Sequence, residues 1–311
     1  MTFHEDELGI DEPLVRALVD RYFPRFAGLP LRRMRASGSS NALFRLGVDF
    51  LVRLPRQPGG SQTIAKEARW VPHMAPELTV SIPEIVGVGE PDLGYPESWS
   101  IVHWIDGKTP AAPSHTGGTT DRLARDLAGV VRALGEVTVP TTAMTDTSLS
   151  WYRGGPLAAM DEIIRHYLGQ CRTLHGLHLD LDACLQVWEE AMTMPGASEV
   201  TTPRWLHGDL LAENLLVHED RLVAVLDFGG LAVGDPTVDL MVGWELLDPA
   251  GREKFRSALQ VEESTWLRGR AWALAIAIMT FPYYWSSMPE RCASRLVMAR
   301  SVLADTGLLA E

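Results

Sequence analysis

Short apolar runs separated by turn-forming residues fill the first hundred positions, whereas apolar residues further along recur every three or four positions. The early runs predict β-strands at residues 31–35, 43–46, 50–54, 84–88 and 99–104. A helical pattern at residues 61–75 interrupts them, and Asp11 followed by Pro13 indicates the start of an earlier helix. We therefore expect an antiparallel meander with one helix inserted before its last two strands.

The pattern changes after residue 105. Helical periodicity then predicts helices near residues 119–137, 157–170 and 180–193, with strands only at 215–217 and 222–228. The apolar segment 271–285 contains Pro282 and is too short to span a bilayer, which predicts a buried helix. The fold class is thus α+β, with a small antiparallel-sheet lobe at residues 1–105 and a larger, mainly helical lobe at residues 106–311.

Charge and composition narrow the class of partner. Of the net charge of −12, residues 106–311 carry −10, from 17 basic against 27 acidic side chains. Such a field disfavours nucleic acid and anionic membranes; it suits a cationic small molecule, or simply solubility. The chain start lacks a secretory pattern and the three cysteines show no pairing, so we expect a cytoplasmic protein. We also expect a monomer or a weak dimer.

Polar residues interrupt the apolar segment W-L-H-G-D-L-L-A-E-N-L-L-V, residues 205–217. Asp209 is followed five positions later by Asn214, and thirteen further on by Asp227, which opens D-F-G. In phosphoryl transfer, one Asp accepts the proton of the acceptor hydroxyl while an Asn and a second Asp hold Mg²⁺. The spacing predicts Asp209 as the catalytic base and Asn214 with Asp227 as the metal ligands.

These motifs resemble those of the aminoglycoside phosphotransferase and choline-kinase-like superfamily. The segment G-D-P-T-V-D-L, residues 234–240, is similar to the family signature after D-F-G. The resemblance implies a bilobal, protein-kinase-like fold and ATP or GTP as co-substrate with Mg²⁺. Gly208 stands where protein kinases carry Arg, and no A-P-E element follows, so the resemblance implies a small-molecule acceptor.

The resemblance also assigns nucleotide-binding residues in the first lobe. It places Ser39, Ser40 and Asn41 in the hairpin that covers the nucleotide phosphates. It places His103 and Ile105 in the hinge, where main-chain groups would contact the purine.

Arg53 occupies the strand position where the family carries a phosphate-contacting Lys. Arg also binds phosphate, although with different geometry, and Glu67 on the following helix is its expected ion-pair partner. Lys66 is the only lysine in this lobe, and we favour it less as a phosphate contact because we place it at a helix start beside Glu67. Taken alone, Arg53 and Glu67 could equally be surface residues.

His207 and Asp239 are expected to support the catalytic loop rather than react. Glu245 is a candidate contact for an amine of the substrate. Three aromatic residues are candidates for the wall of the acceptor site, although such residues are more often core: Trp244, Trp272 and Tyr284.

The sequence therefore predicts transfer of the γ-phosphoryl group to a hydroxyl of an aminoglycoside-like or other natural product. The alternatives are a nucleotide-binding pseudokinase, suggested by Arg53, and a kinase for homoserine, choline, a methylthiosugar or a macrolide. A metal-dependent hydrolase using His207 and Asp209 would need more ligands than the neighbourhood offers. No P-loop or dinucleotide-binding fingerprint is present.

Overall fold

The computed structural model describes residues 6–34, 40–111 and 121–307. Within them the chain forms two compact units. The first contains the described residues up to Pro76, together with Ser81–Gly107 and Ala224–Gly229. The second contains Glu77–Val80, Lys108–Val223 and the described residues from Gly230 onward.

A five-stranded antiparallel sheet forms the centre of the first unit, in the order β1-β2-β3-β5-β4. Its strands are β1 (Leu31–Arg33), β2 (Asn41–Leu46), β3 (Phe50–Pro55), β4 (Ile85–Gly89) and β5 (Trp99–His103). The predicted antiparallel sheet is confirmed, and its strands lie within two residues of the predicted bounds. Arg53 on β3 lies in register with Leu43 on β2 and Ser100 on β5.

Two helices accompany this sheet. Helix α1 (Glu12–Tyr22) begins where Asp11 accepts a hydrogen bond from the Leu14 backbone nitrogen at 2.9 Å. Its buried face joins the core formed by one face of the sheet, with Phe44 among its residues. Helix α2 (Ser61–Met74) is held at its start by Glu97, whose carboxylate accepts from the backbone nitrogens of Gly59 and Ser61 at 2.8 and 2.7 Å.

The second unit is mainly helical. Its helices are α3 (Asp121–Glu136), α4 (Thr141–Met144), α5 (Asp161–Cys171), α6 (Leu181–Met192), α7 (Val242–Leu246), α8 (Pro249–Leu259), α9 (Glu263–Tyr284) and α10 (Pro289–Thr306). The apolar helix α9 packs against α5, α6 and α10. The predicted buried helix is therefore confirmed, with Pro282 in its last turn. No helix in the described part of the chain has the length and apolar character that crossing a bilayer requires.

Four short strands accompany these helices: β6 (Arg204–Leu206), β7 (Leu215–His218), β8 (Arg221–Val225) and β9 (Ala232–Gly234). They form two two-stranded sheets, β6 with β9 and β7 with β8. Strands β7 and β8 were predicted, but β8 ends before Asp227. Strands of three residues such as β6 and β9 are too short to show an alternating pattern.

Candidate active site

The segment that joins β6 to β7 carries the candidate catalytic residues of the second unit. His207 is fully buried, and its Nδ1 accepts a hydrogen bond from the Asp209 backbone nitrogen at 3.2 Å. Gly208 has φ of 77°, and a Cβ there would lie 2.6 Å from the Gly230 carbonyl oxygen. Only glycine fits this backbone, because any other side chain would be strained and would meet main-chain atoms.

Asp239 holds this loop from the 3₁₀ turn Pro236–Met241. Its two carboxylate oxygens accept from the backbone nitrogens of His207 and Gly208 at 2.7 and 2.8 Å. Burial raises the pKa of Asp239 above its ordinary value, although His207 and the backbone hydrogen bonds oppose that shift. The carboxylate therefore fixes the backbone on the N-terminal side of Asp209.

Both carboxylate oxygens of Asp209 have partners. Oδ2 accepts from Asn214 Nδ2 at 3.0 Å, and Oδ1 accepts from the Arg153 guanidinium. Burial alone would raise the pKa of Asp209, but the charge and hydrogen bond of Arg153 outweigh it, and the pKa lies below its ordinary value. Asp209 is therefore ionised at neutral pH, as a proton acceptor must be.

Arg153 is a residue that the sequence analysis missed. It lies on the 3₁₀ turn Tyr152–Gly154, where Nη1 also donates to the Gly208 carbonyl oxygen at 3.0 Å. Its guanidinium lies 4.6 Å from the centroid of the Trp151 ring, within cation–π distance. The segment W-Y-R-G-G matches no motif, and no sequence signal links it to a residue 56 positions away.

The amide of Asn214 is oriented by the same loop. Nδ2 donates to the Asp209 backbone oxygen at 2.8 Å as well as to the Asp209 carboxylate. Oδ1 accepts no hydrogen bond from the described residues, so this oxygen can bind a cation. Amide and carboxylate oxygens are the protein ligands that Mg²⁺ takes, and it needs only one or two of them beside phosphate and water.

Glu245 does not have the role that the sequence suggested. It is buried, its Oε2 accepts from the Ala212 backbone nitrogen at 2.7 Å, and its Oε1 pairs with Arg295. Arg295 also donates to Glu213 at 2.7 Å. The expectation of a substrate amine at Glu245 is corrected, because both of its carboxylate oxygens are engaged in holding the turn Ala212–Asn214 in place.

The three aromatic candidates for the acceptor site differ in burial. Trp244 and Trp272 have no exposed surface, and Trp244 Nε1 donates to Asp305 at 2.7 Å. The expectation that these two side chains contact the acceptor is therefore corrected: they belong to the core. Tyr284, near the end of α9, is half-buried beneath the Arg291 guanidinium at 5.1 Å and keeps its place as a candidate.

In the first unit, the predicted ion pair between Arg53 and Glu67 is present and bidentate. Nη1 and Nη2 of Arg53 donate to the two Glu67 oxygens at 2.9 and 3.2 Å, and both side chains are buried. Asp227 belongs to the same unit, and its Oδ1 lies 3.9 Å from Arg53 Nη2. Burial alone would lower the pKa of Arg53, but the Glu67 and Asp227 charges outweigh it and raise the value.

Asp227 has a left-handed backbone with φ of 56°, which is uncommon for a non-glycine residue. Its Oδ1 accepts from the Gly229 backbone nitrogen at 3.2 Å, and 37% of its side chain is exposed. Its Oδ2 accepts no hydrogen bond from the described residues and can bind a cation. Lys66 lies in the middle of α2, not at a helix start as expected, and its Nζ donates to the Gly229 carbonyl oxygen at 2.6 Å.

The remaining nucleotide-binding candidates that the structure describes lie on the sheet or its connections. Ser39 lies outside the described residues, Ser40 is exposed, and Asn41 begins β2. His103 ends β5, and its backbone nitrogen donates to the Glu84 carbonyl oxygen at 3.0 Å. No hydrogen bond of the Ile105 backbone to described residues is present, so its main-chain groups can bind a ligand.

The described residues contain no group of three or more His, Cys, Asp or Glu side chains that could hold a metal ion. A transition-metal hydrolase would need such a group, so the hydrolase interpretation finds no support among them. Asn214 in the second unit and Asp227 in the first each offer an oxygen of the kind that Mg²⁺ accepts beside phosphate and water.

The chain is similar to several known proteins. Residues 33–273 match the model of the phosphotransferase enzyme family. A search of the curated proteins found no match. Among solved structures, the GDP complex of wild-type aminoglycoside 2'-phosphotransferase-IIIa is similar with a TM-score of 0.69 and 19% identity, over 96% of this chain and 100% of that one.

Two further structures are similar. ADP-bound aminoglycoside phosphotransferase APH(2'')-Ib has a TM-score of 0.62 and 17% identity, over 94% of this chain and 99% of that one. The apoenzyme of macrolide 2'-phosphotransferase MphH from Brachybacterium faecium has a TM-score of 0.60 and 21% identity, over 93% and 97%. At these identities the similarities show the fold, which is kinase-like.

Proposed function

The chain belongs to the phosphotransferase enzyme family, and we propose that it is a small-molecule kinase that transfers the γ-phosphoryl group of ATP or GTP to a hydroxyl of a natural product. The observation that carries this proposal is the local geometry of the loop. Asp209 is ionised and held at both carboxylate oxygens, while Asn214 presents a free amide oxygen one turn later. Such fixed positioning is what phosphoryl transfer requires of a protein.

In this proposal Asp209 orients the acceptor hydroxyl and receives its proton. The hydroxyl oxygen forms a bond to the γ-phosphorus, and the bond from that phosphorus to the bridging oxygen breaks. The electron pair of the broken bond leaves with the nucleoside diphosphate. His207, Asp239 and Glu245 do not react in this scheme; they hold the backbone around Asp209 and Asn214.

The nucleotide-side residues have separate tasks. Arg53, fixed by Glu67, would neutralise phosphate charge, and Ser40, Asn41 and the Ile105 backbone would contact the nucleotide. Asn214 and Asp227 would hold Mg²⁺, which supplies positive charge to the phosphate oxygens when bound. The nucleotides in the similar structures, GDP and ADP, support a nucleotide co-substrate without deciding between ATP and GTP.

One observation favours a second candidate, a nucleotide-binding protein without catalysis. Arg53 replaces the family's phosphate-contacting Lys and is buried in a bidentate pair with Glu67. An arginine bound this firmly could serve structure alone. The two candidates differ in turnover, because a pseudokinase would bind nucleotide but form no phosphorylated product.

The test is a mass-spectrometric screen of natural products, amino alcohols and sugars with ATP or GTP and Mg²⁺. In Asp209→Ala we expect product formation to fall at least ~1,000-fold, since the proton acceptor is lost, while nucleotide affinity changes less than about threefold. The matched control is Asp182→Ala, because that aspartate is 78% exposed on α6 and lies outside the loop. Preserved turnover in Asp209→Ala contradicts the assigned base, and nucleotide binding without product from any acceptor favours the pseudokinase.

A further inference from the structure

Arg153 has a donor that the protein does not use. Nε donates to Tyr152 Oη at 2.8 Å, and Nη1 donates to Gly208 and Asp209, while no hydrogen bond joins Nη2 to the described residues. The side chain keeps 15% of its surface exposed, and that of Asp209 keeps 32%. Nη2, which has no hydrogen bond to the described residues, is therefore part of the same guanidinium that contacts the proposed catalytic base, Asp209.

The other acidic groups on the loop and against it also have arginine partners. Glu213 pairs with Arg295 at 2.7 Å and lies 3.5 Å from Arg291, and Glu245 pairs with Arg295. With the pair of Asp209 and Arg153, every carboxylate of the loop from 205 to 217 has an arginine partner. Residues 106–311 carry a net negative charge, but the loop itself therefore offers no carboxylate without an arginine partner.

This arrangement sets the electrostatic cost for an incoming acceptor. A hydroxyl that reaches Asp209 must also approach the Arg153 guanidinium. An ammonium group beside that hydroxyl would be repelled by Arg153 and would find no free carboxylate on the loop. A carboxylate, phosphate, carbonyl or ether oxygen in the same place would accept a charge-assisted hydrogen bond from Nη2.

We infer that Arg153 selects the acceptor by donating to an oxygen next to the hydroxyl that Asp209 deprotonates, so that the acceptor is neutral or anionic at that position. This inference rests on the kinase activity proposed above and narrows it. It narrows the expectation of a cationic acceptor, because it excludes a positive charge next to the reacting hydroxyl. A positive charge elsewhere on the acceptor is compatible with it.

Arg153 could instead contact the phosphoryl group in transfer. The two roles separate kinetically, because a phosphoryl contact acts in the transition state of every acceptor and lowers kcat for all of them alike. A contact to the acceptor changes the ratio between acceptors and acts largely through KM.

The test uses acceptors in matched sets of uronic acid, neutral sugar and amino sugar, in which the same ring carries a carboxylate, a hydroxymethyl or an ammonium group. Full-length wild type, Arg153→Gln and Arg153→Lys are assayed with ATP and GTP, and product is read by mass. The matched control is Arg165→Gln, an exposed arginine of α5 that pairs with Asp161 and Glu189. Thermal melting confirms that each variant is folded.

We expect wild type to favour the anionic or neutral member over the amino sugar by about tenfold or more in kcat/KM, as one charge-assisted hydrogen bond allows. Arg153→Gln should abolish that preference through a raised KM, Arg153→Lys should restore part of it, and Arg165→Gln should leave it unchanged. A preference of wild type for the amino sugar, or a preference among the three members that is unchanged in Arg153→Gln, overturns the inference but leaves the kinase proposal intact. Nucleotide binding without product from any acceptor, in these sets or in the broader screen, contradicts both.

Discussion

Two arginine–carboxylate pairs, one in each unit, show how the same chemistry serves different ends. Arg53 gives two hydrogen bonds to Glu67, and both side chains are buried. Arg153 gives Asp209 one nitrogen, and the exposed fractions of the two side chains are 15% and 32%. The first pair is bidentate and buried, whereas in the second Nη2 of Arg153 has no hydrogen bond to the described residues and the carboxylate is accessible.

The difference indicates which of the two pairs can exchange a protein contact for a ligand contact. A buried, bidentate pair is costly to break, because either partner left alone is an uncompensated charge away from water. A partly exposed pair can exchange one protein contact for a ligand contact at little cost. We therefore expect the Arg53 pair to control stability and the Arg153 pair to control selectivity.

The largest effect should come from breaking the buried pair. Glu67→Ala leaves the Arg53 guanidinium buried without its carboxylate, and we expect the free energy of unfolding to fall by about 3–5 kcal/mol. Urea denaturation at pH 7 measures it, with Glu84→Ala as control because that side chain is 79% exposed. A loss below about 1 kcal/mol would show that the pair is not structurally important.

A double variant separates structure from nucleotide binding at the same pair. Arg53→Met combined with Glu67→Leu should recover most of the stability, since apolar side chains can replace a buried ion pair. Nucleotide affinity should nevertheless fall below that of wild type, because the charge proposed to contact the phosphates is gone. Wild-type affinity in the double variant would remove Arg53 from the nucleotide site.

A smaller effect should come from Glu97, which holds the start of the helix that carries Glu67. Burial would raise its pKa, but hydrogen bonds from Ser61 and Gly59 lower it below 4.5. A lowered pKa in the folded state stabilises the protein above about pH 4.5, and this contribution disappears as the pH falls through the folded value. Glu97→Gln should therefore cost about 1–3 kcal/mol at pH 7, and less at acidic pH.

Denaturation at pH 7 and near pH 3.5 tests this dependence. The exposed residue Glu90 supplies the control, and Glu90→Gln should behave like wild type at both values. An equal loss for Glu97→Gln at both pH values would show that the carboxylate charge is not what stabilises α2.

The more exposed pair should contribute less to stability. Arg153→Gln should lower the free energy of unfolding by about 1 kcal/mol or less, since Asp209 keeps the Asn214 hydrogen bond and access to water. Urea denaturation beside Glu67→Ala measures the contrast. A loss of about 3 kcal/mol or more would place Arg153 in the same structural class as Arg53.

The sequence predicted the first pair but not the second. Arg53 lies on a strand and Glu67 on the next helix, positions that the family pattern already relates. Arg153 lies on a turn without a motif, and only the tertiary structure brings it to Asp209. Much of the fold was predictable, because the strands are short apolar runs between turn residues and helices such as α3 have clear periodicity.

The sequence also could not predict which individual side chains near the site are buried. Trp244 and Glu245 lie close to the family signature, and Trp272 belongs to the aromatic-rich segment that follows it, which made them candidates for substrate contact. Periodicity cannot tell whether a tryptophan near a site faces the ligand or the core, and α9 is apolar around much of its circumference. The ion pair of Glu245 with Arg295 spans 50 positions and leaves no trace in local sequence.

The smallest expected effect on the free energy of unfolding is that of removing an exposed arginine, and the larger effects are compared with it. Arg165 pairs with Asp161 and Glu189, each at 3.0 Å, but its side chain is 44% exposed. Asp161 keeps a hydrogen bond from Trp188 Nε1 at 2.8 Å after Arg165 is removed. Arg165→Gln should therefore change the free energy of unfolding by less than about 0.5 kcal/mol, and by still less in about 1 M salt, which screens exposed charges. Should Arg165→Gln cost as much as Glu67→Ala under the same conditions, burial would not be what distinguishes the pairs, and the division between a structural and a selective arginine would fail.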